Sequence, residues 1–269
     1  MKFPIAIQLY SVRDDMAQDF KGTLQKVKEM GYDGVEFAGI FGKSAAEIKA
    51  MCDEIGLIPI SAHVHYNELL IGEETFKKYA EIGCEYIVIP WMNSEVFADE
   101  EKFAEFVENV KKFGKLANAN GMKLCYHNHD FEFEKVNGEY KLDRLYNSVP
   151  AELLSTQLDT CWVNVGGENP ADYIRKYNGR IEIVHLKDFV GSKSENMYGL
   201  IGTDGKDAPA KTTAFELRPV GYGVQDFYEI LKACDECNTK WVVVEQDSPS
   251  MGLTPLECMK KGIDYLKTL

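Results

Sequence analysis

The chain holds five histidines, His63, His65, His127, His129 and His185, and all five fall at or beside the end of a short β-type run. Two pairs are spaced i, i+2, which on an extended chain points both rings to one face. Four acidic residues take similar places: Glu36 in "GVEFAG", Glu132 in "YHNHDFEF", Asp159 in "STQLDT" and Glu245 in "VVVEQD". A lone histidine at a strand end is more often a hydrogen-bonded structural residue than a ligand. Glu36 could pair with a basic side chain, and Glu132 could be a solvated loop carboxylate. Asp159 and Glu245 resist such readings. Each ends a β-type run, and a carboxylate buried there without a cation or donor is costly. Hard carboxylates with one or two imidazoles suit one divalent ion: Mn, Mg, Co or Zn. A thiolate site is not indicated. The seven cysteines are scattered, and the one C-x-x-C, Cys234 and Cys237, lies at a helix end with no second pair.

Strands must bring these residues together. Eight β-type runs can be read: "PIAIQLY", "GVEFAG", "PISAHVH", "YIVIPW", "KLCYHNH", "STQLDTCWV", "IEIVHLK" and "WVVVEQD". Amphipathic stretches separate them, and "TPLECMKKGIDYLKTL" follows the last. In "FAEFVENVKKFGKLA" the apolar positions 103, 106, 107, 110, 113, 116 and 117 keep the spacing of one helical face. Several helical stretches end at Gly before the next run, as helices closed by a left-handed residue do. Eight β units each followed by α predict an α/β fold, a single (β/α)8 TIM barrel. A doubly wound sheet shares the alternation but carries a Gly-rich phosphate turn after its first strand, and here "LYSVRDD" stands in that place. No linker or low-complexity tract divides the chain, so residues 1–269 read as one domain. One connection is long: about 50 residues part "HLKD" from "WVVVE". Its irregular part, about residues 189–223, is expected to cover a substrate, since long loops in compact domains are often functional.

Composition narrows the partners. Hydrophobic residues make up 45% and charged residues 27%, an ordinary soluble balance. The net charge of -13 opposes both nucleic acid, which is bound largely through Lys and Arg, and an anionic membrane surface. No apolar run reaches the roughly 18–20 residues of a membrane span. The start, "MKFPIAIQLYSVRDD", lacks the apolar core of a signal peptide. A cytoplasmic protein is expected, with a homo-oligomer left open.

"LDT", "HLKD", "VVVEQD" and "PVGYGVQDF", in this order and spacing, resemble the xylose isomerase-like TIM-barrel superfamily. More narrowly they resemble its sugar phosphate isomerases/epimerases, a group with ketose 3-epimerases, inosose dehydratases and 3-keto-glycoside lyases. The resemblance spans essentially the whole chain. It implies one divalent ion held by residues of strands 5 to 8, and Asp159, His185 and Glu245 match three of the ligands. Ketose epimerases carry a Glu within strand 5, whereas this chain reads "YHNHDFEF". Glu132 is the preferred fourth ligand, with His127 and His129 as alternatives. "YHNH" and "VEQDSP" look closer to the inosose-dehydratase-like members.

The resemblance further implies an isomerase/epimerase or lyase acting on a sugar, sugar phosphate, keto-sugar or cyclitol by proton abstraction beside a metal-polarised carbonyl. Glu132, Glu245, His127 and His129 are the candidates for proton transfer. Glu36, His63, His65, Lys187 and Arg218 are the candidates for binding substrate. Lys187 lies two residues past His185, so strand alternation turns it inward. Arg218, on the long loop, could grip a hydroxyl or phosphate oxygen. Three other readings compete. A metallo-hydrolase fits less well, because its H-x-H normally ends the first strand. An endonuclease IV-like DNA-repair enzyme needs a positive face, which the charge opposes. A non-catalytic sugar-binding barrel would be stabilised by sugar without metal.

Overall fold

A computed structural model describes residues 3–193 and 215–269. Eight parallel strands form a closed barrel in chain order: β1 (Ile5–Gln8), β2 (Gly34–Ala38), β3 (Ile58–His63), β4 (Tyr86–Ile89), β5 (Lys123–His127), β6 (Ser155–Asp159), β7 (Ile181–Leu186) and β8 (Trp241–Val244). The ring closes where Ile5 pairs with Val242. Each strand returns through a helix: Phe20–Met30, Ala45–Ile55, Glu73–Ile82, Glu100–Ala119, Lys141–Ser148, Pro170–Lys176, Phe227–Glu236 and Pro255–Leu266. The (β/α)8 barrel expected from the alternation is thus observed.

Local signals explain the helices. Glu100–Ala119 starts on Asp99, whose carboxylate accepts from the backbone N–H groups of Glu101 and Lys102. It buries Phe103, Phe106, Val107, Val110, Phe113 and Ala117, the face read from spacing, while Leu116 is only partly covered. Each large side chain so buried contributes about 1.5–3 kcal/mol. Gly31, Gly56 and Gly83 close their helices with φ of 96°, 78° and 103°, a region costly for residues with a Cβ.

Strand alternation splits the core into two layers. Outward residues such as Ile7, Val35, Leu124, Tyr126, Leu158, Val184 and Val242 pack with the helices. Inside the barrel Ala6, Ile60, Tyr86, Val88, Cys125, Ile183, Trp241 and Val243 form a separate apolar cluster. Two residues further along the same inward rows the chemistry changes. Ala6 gives way to Gln8, Cys125 to His127, Ile183 to His185, and Val243 to Glu245. Pairing sets Gln8 against Glu36, His127 against Gln157, and Asp159 against His185. The register shifts at Val35/Glu36 and again at Thr156/Gln157. Such irregularities re-aim side chains, and both lie beside inward polar residues.

The long connection expected over 189–223 falls largely on residues 194–214, which lie outside the described residues. Its described ends pair as an antiparallel ribbon, Asp188–Val190 with Glu216–Arg218. Asp188 clasps that ribbon's base: its carboxylate accepts from the backbone N–H of Phe189, Gly221, Gly223 and Gln225. All seven cysteines are buried and free. Among the described residues no helix is long and apolar enough to cross a membrane.

The barrel floor is tightest at Gly34. A Cβ there would lie 2.8 Å from the Ile58 carbonyl oxygen, 2.9 Å from Ile60 Cγ2 and 3.2 Å from the Trp241 ring. Gly34→Ala is therefore expected to cost about 1–3 kcal/mol through overpacking. Denaturant unfolding checks this, and an unchanged midpoint would contradict the packing described.

Candidate metal centre and active site

His127 ends β5, Asp159 ends β6, His185 is the penultimate residue of β7, and Glu245 directly follows β8. One ligand atom from each lies within 4.8 Å of the others, and all four residues are buried. Asp159 divides its carboxylate between two tasks. Oδ1 accepts from the backbone N–H of Cys161 and Trp162, at 2.8 and 3.1 Å. Oδ2 is buried and, among the described residues, has no hydrogen-bond donor. The Lys187 ammonium lies 3.2 Å from it, close enough for an ion pair but not aligned as a hydrogen bond. A buried oxygen in that state is a donor to a cation. Two imidazoles and two carboxylates form a set that fits a divalent transition ion. The site would therefore be held by His127, Asp159, His185 and Glu245.

Both rings face two ways. His185 Nδ1 lies 2.9 Å from Glu245 Oε2, and its Nε2 lies 2.8 Å from Glu36 Oε1. Burial opposes a charge on this ring, but Glu36 and Glu245 outweigh it and push its pKa up to about 10. His127 Nδ1 lies 3.1 Å from Gln157 Oε1, and its Nε2 lies 3.8 Å from Asp159 Oδ2. The orientation of Gln157 is fixed from below, because its Nε2 donates to Glu36 Oε2 at 2.5 Å. Its oxygen must therefore face His127, so Nδ1 carries the proton and the Nε2 lone pair faces Asp159. Burial, reinforced by the nearby His185 charge, holds the His127 pKa well below the ordinary imidazole value.

Glu36 anchors this deep layer. It accepts from Gln8 Nε2 at 2.7 Å and Ser61 Oγ at 2.6 Å, as well as from Gln157 and His185. His63 Nε2 is 3.0 Å away. Burial disfavours the carboxylate, but His63 and His185 overcome it and hold its pKa well below the usual range. A carboxylate behind a ligand histidine fixes ring orientation and raises its basicity. Glu36, expected to bind substrate, lies instead beneath the cleft, fully buried by its five partners.

The cleft over these groups has a volume of about 580 Å³, within the range of small-molecule sites. His63, His65, Glu68, His127, His129, Lys187, Glu245 and Asp247 form its polar wall; Tyr10, Ala38, Pro90 and Trp91 stand among the other lining residues. His63, His65, His127, His129 and Lys187 thus reach the cavity, although His65 is exposed at its edge. His129 is buried, and that burial, with the Lys187 charge, lowers its pKa to about 3, so the ring is neutral.

Two further expected residues lie elsewhere. Glu132, the preferred fourth ligand, is outside the ligand cluster. It follows the strand on a short turn, Phe131–Phe133, where alternation no longer applies. Its Oε1 accepts from Tyr126 OH at 2.6 Å and its Oε2 from His129 N–H at 2.8 Å. Tyr126 packs outward against Phe97 and Phe106, so Glu132 is drawn toward the helix layer. Burial pushes its pKa up to about 8. His127 takes its place in the cluster. Arg218 does not line the cleft among the described residues; its guanidinium pairs with Glu216 at 2.7 Å.

Other residues were missed. Asp247 lines the cleft 3.2 Å from Lys187, and burial pushes its pKa up to about 6. The alternation that turns Lys187 inward from His185 also turns Asp247 inward from Glu245 and Gln157 inward from Asp159. Asn128 was missed as well: its Oδ1 accepts from the backbone N–H of Asp159 at 3.0 Å and ties β5 to β6.

Residues 24–269 match the family model described as xylose isomerase-like TIM barrel. The chain is 28% identical to an inosose dehydratase of Clostridium beijerinckii over 90% of its own length and 88% of that protein. It is 31% identical to an inosose dehydratase of Clostridium botulinum, over 92% of this chain and 89% of the relative. In structure it is similar to a sugar phosphate isomerase/epimerase from Parabacteroides distasonis, with a TM-score of 0.76 and 21% identity over 98% of this chain and 93% of the other.

The geometry separates His127 from Glu132. His127→Ala should weaken Mn²⁺ binding beyond the roughly 10–100-fold that loss of an outer partner costs, while Glu132→Gln stays within a factor of about three. Titration calorimetry measures both, and the reverse order would restore Glu132 as the ligand.

Proposed function

The chain belongs to the xylose isomerase-like TIM-barrel family, and on that premise we propose that it is a divalent-metal-dependent lyase of the inosose-dehydratase kind, acting on a keto-sugar or keto-cyclitol. The observation that carries this reading is the placement of Glu132. A two-carboxylate epimerase needs a carboxylate on each side of the substrate, and here Glu245 and Asp247 both follow β8, Glu68 is paired with Lys78, and Glu132 is held behind the cleft by Tyr126 and the His129 backbone. Imidazole supplies the polar groups at the end of β5 instead. The inosose dehydratases among the relatives support the same choice.

When bound, the ion supplies a Lewis acid that polarises the substrate's oxygen. The chain's own residues do the rest. The Lys187 ammonium places fixed positive charge beside Glu245 and Asp247, where negative charge would develop on a carbonyl oxygen. His129, a neutral ring on the cleft wall, is the base assigned to the proton beside the carbonyl. The electron pair of that C–H bond becomes the new C=C bond. The C–O bond at the next carbon breaks, and the departing hydroxyl takes a proton to leave as water. Asp247, whose pKa burial pushes up to about 6, is within the cleft to deliver it. Trp91 and Tyr10 offer apolar faces to the sugar ring.

The test is incubation in D2O with Mn²⁺ or Co²⁺ and a panel of inososes, 3-keto-glycosides and keto-sugars, followed by NMR. Loss of water or of an aglycone, with exchange of the α-proton, is expected. His129→Ala should slow exchange by about 10²–10⁴-fold, the usual contribution of a general base. Inversion of a carbinol centre without loss of a leaving group would contradict the lyase reading, and full exchange in the variant would remove His129 from the mechanism.

A further inference from the structure

We propose that Lys187 is a built-in counter-cation that competes with the divalent ion for Asp159 and Glu245. It keeps the metal-free site converged and makes metal binding weaker than the four ligands alone would give. This rests on the metal-centre reading above.

The Lys187 Nζ lies 3.2 Å from Asp159 Oδ2 and 3.0 Å from Glu245 Oε2. Both residues belong to the group that could hold the ion. Its third partner is different. Asp247 Oδ2, 3.2 Å away, belongs to a residue outside that group. The arrangement comes from strand geometry, since Lys187 follows His185 by two residues and Asp247 follows Glu245 by two. Lys187 is 1% exposed, and its ammonium lies 5.1 Å from the centre of the Trp162 ring. Among the described residues it is the one Lys or Arg lining the cleft.

Three carboxylates brought together away from water repel one another, and the ammonium between them offsets that repulsion. An ion entering the same cluster meets a fixed positive charge ion-paired with two of its ligands. Repulsion between the cations weakens binding, and Asp247 gives the ammonium a partner the ion does not use. Removing the charge should therefore tighten metal binding while loosening the metal-free protein. An amine that merely packed against Trp162, or that helped to assemble the metal site, would not give this pair of opposite effects.

The test measures Mn²⁺ affinity by titration calorimetry, and melting with and without Mn²⁺, for the full chain and three variants. Lys187→Met removes the charge. Lys187→Gln removes it but keeps hydrogen bonding, which guards against a folding defect in the first. Lys187→Arg keeps the charge. The two neutral variants should bind Mn²⁺ at least about tenfold tighter, about 1.4 kcal/mol, and their metal-free forms should melt below the parent. Lys187→Arg should stay near the parent affinity. Unchanged or weaker binding in both neutral variants overturns the competition. His185→Ala serves as the control: equal Mn²⁺ binding by the parent and His185→Ala refutes the metal centre itself, and the proposal with it.

Discussion

Each carboxylate taken out of water costs several kcal/mol unless cations and donors take water's place, and this barrel buries four around one axis: Glu36, Asp159, Glu245 and Asp247. Their partners are arranged in two tiers. Below, Gln8, Ser61, Gln157 and the inner nitrogens of two histidines surround Glu36. Above, Lys187 lies among Asp159, Glu245 and Asp247. His185 joins the tiers, with Glu36 on one nitrogen and Glu245 on the other. Glu36 also holds Gln157, which sets the His127 tautomer. One buried carboxylate thus decides which lone pair the upper tier offers.

The barrel makes this charge density tolerable by keeping it on rigid elements. The inward rows are apolar at the floor, where Trp241, Ile183, Cys125 and Val88 fill the interior, and polar only in their last residues. Parallel register places the polar ends of successive strands side by side, as when Asp159 faces His185. Asn128 and the Asp188 clasp hold the segments that leave the mouth. The same floor excludes water from beneath Glu36, which strengthens every charge interaction above it.

The sequence made the frame legible because eight apolar runs alternate with helical faces, a pattern few folds share. Within the strands, the facing of the candidate residues was legible too, since period-two alternation assigns His185 and Lys187 to one face. Legibility ended where that period ended. Glu132 stands five residues past His127 on a tight turn, and only tertiary packing shows that Tyr126 and the His129 backbone hold it. Arg218 was hard to place for the same reason: its position depends on the ribbon that Glu216–Arg218 forms with Asp188–Val190. Gln157 and Asp247 were readable by alternation, but an amide and a second acid on a strand already holding a candidate attract no notice when residues are weighed singly. Glu36 was noticed for its type, but its place beneath the cleft was not legible, because depth along the barrel axis is not written in one strand.

We propose that one cation is held by residues at the ends of four consecutive strands. The most direct measurement is an anomalous difference map from crystals of the full chain soaked in Mn²⁺. The account predicts one peak bounded by His127 Nε2, Asp159 Oδ2, His185 Nδ1 and a Glu245 oxygen, at about 2.0–2.3 Å from each. A peak coordinated by Glu132, or a saturating soak that leaves these four groups without an ion, would contradict it.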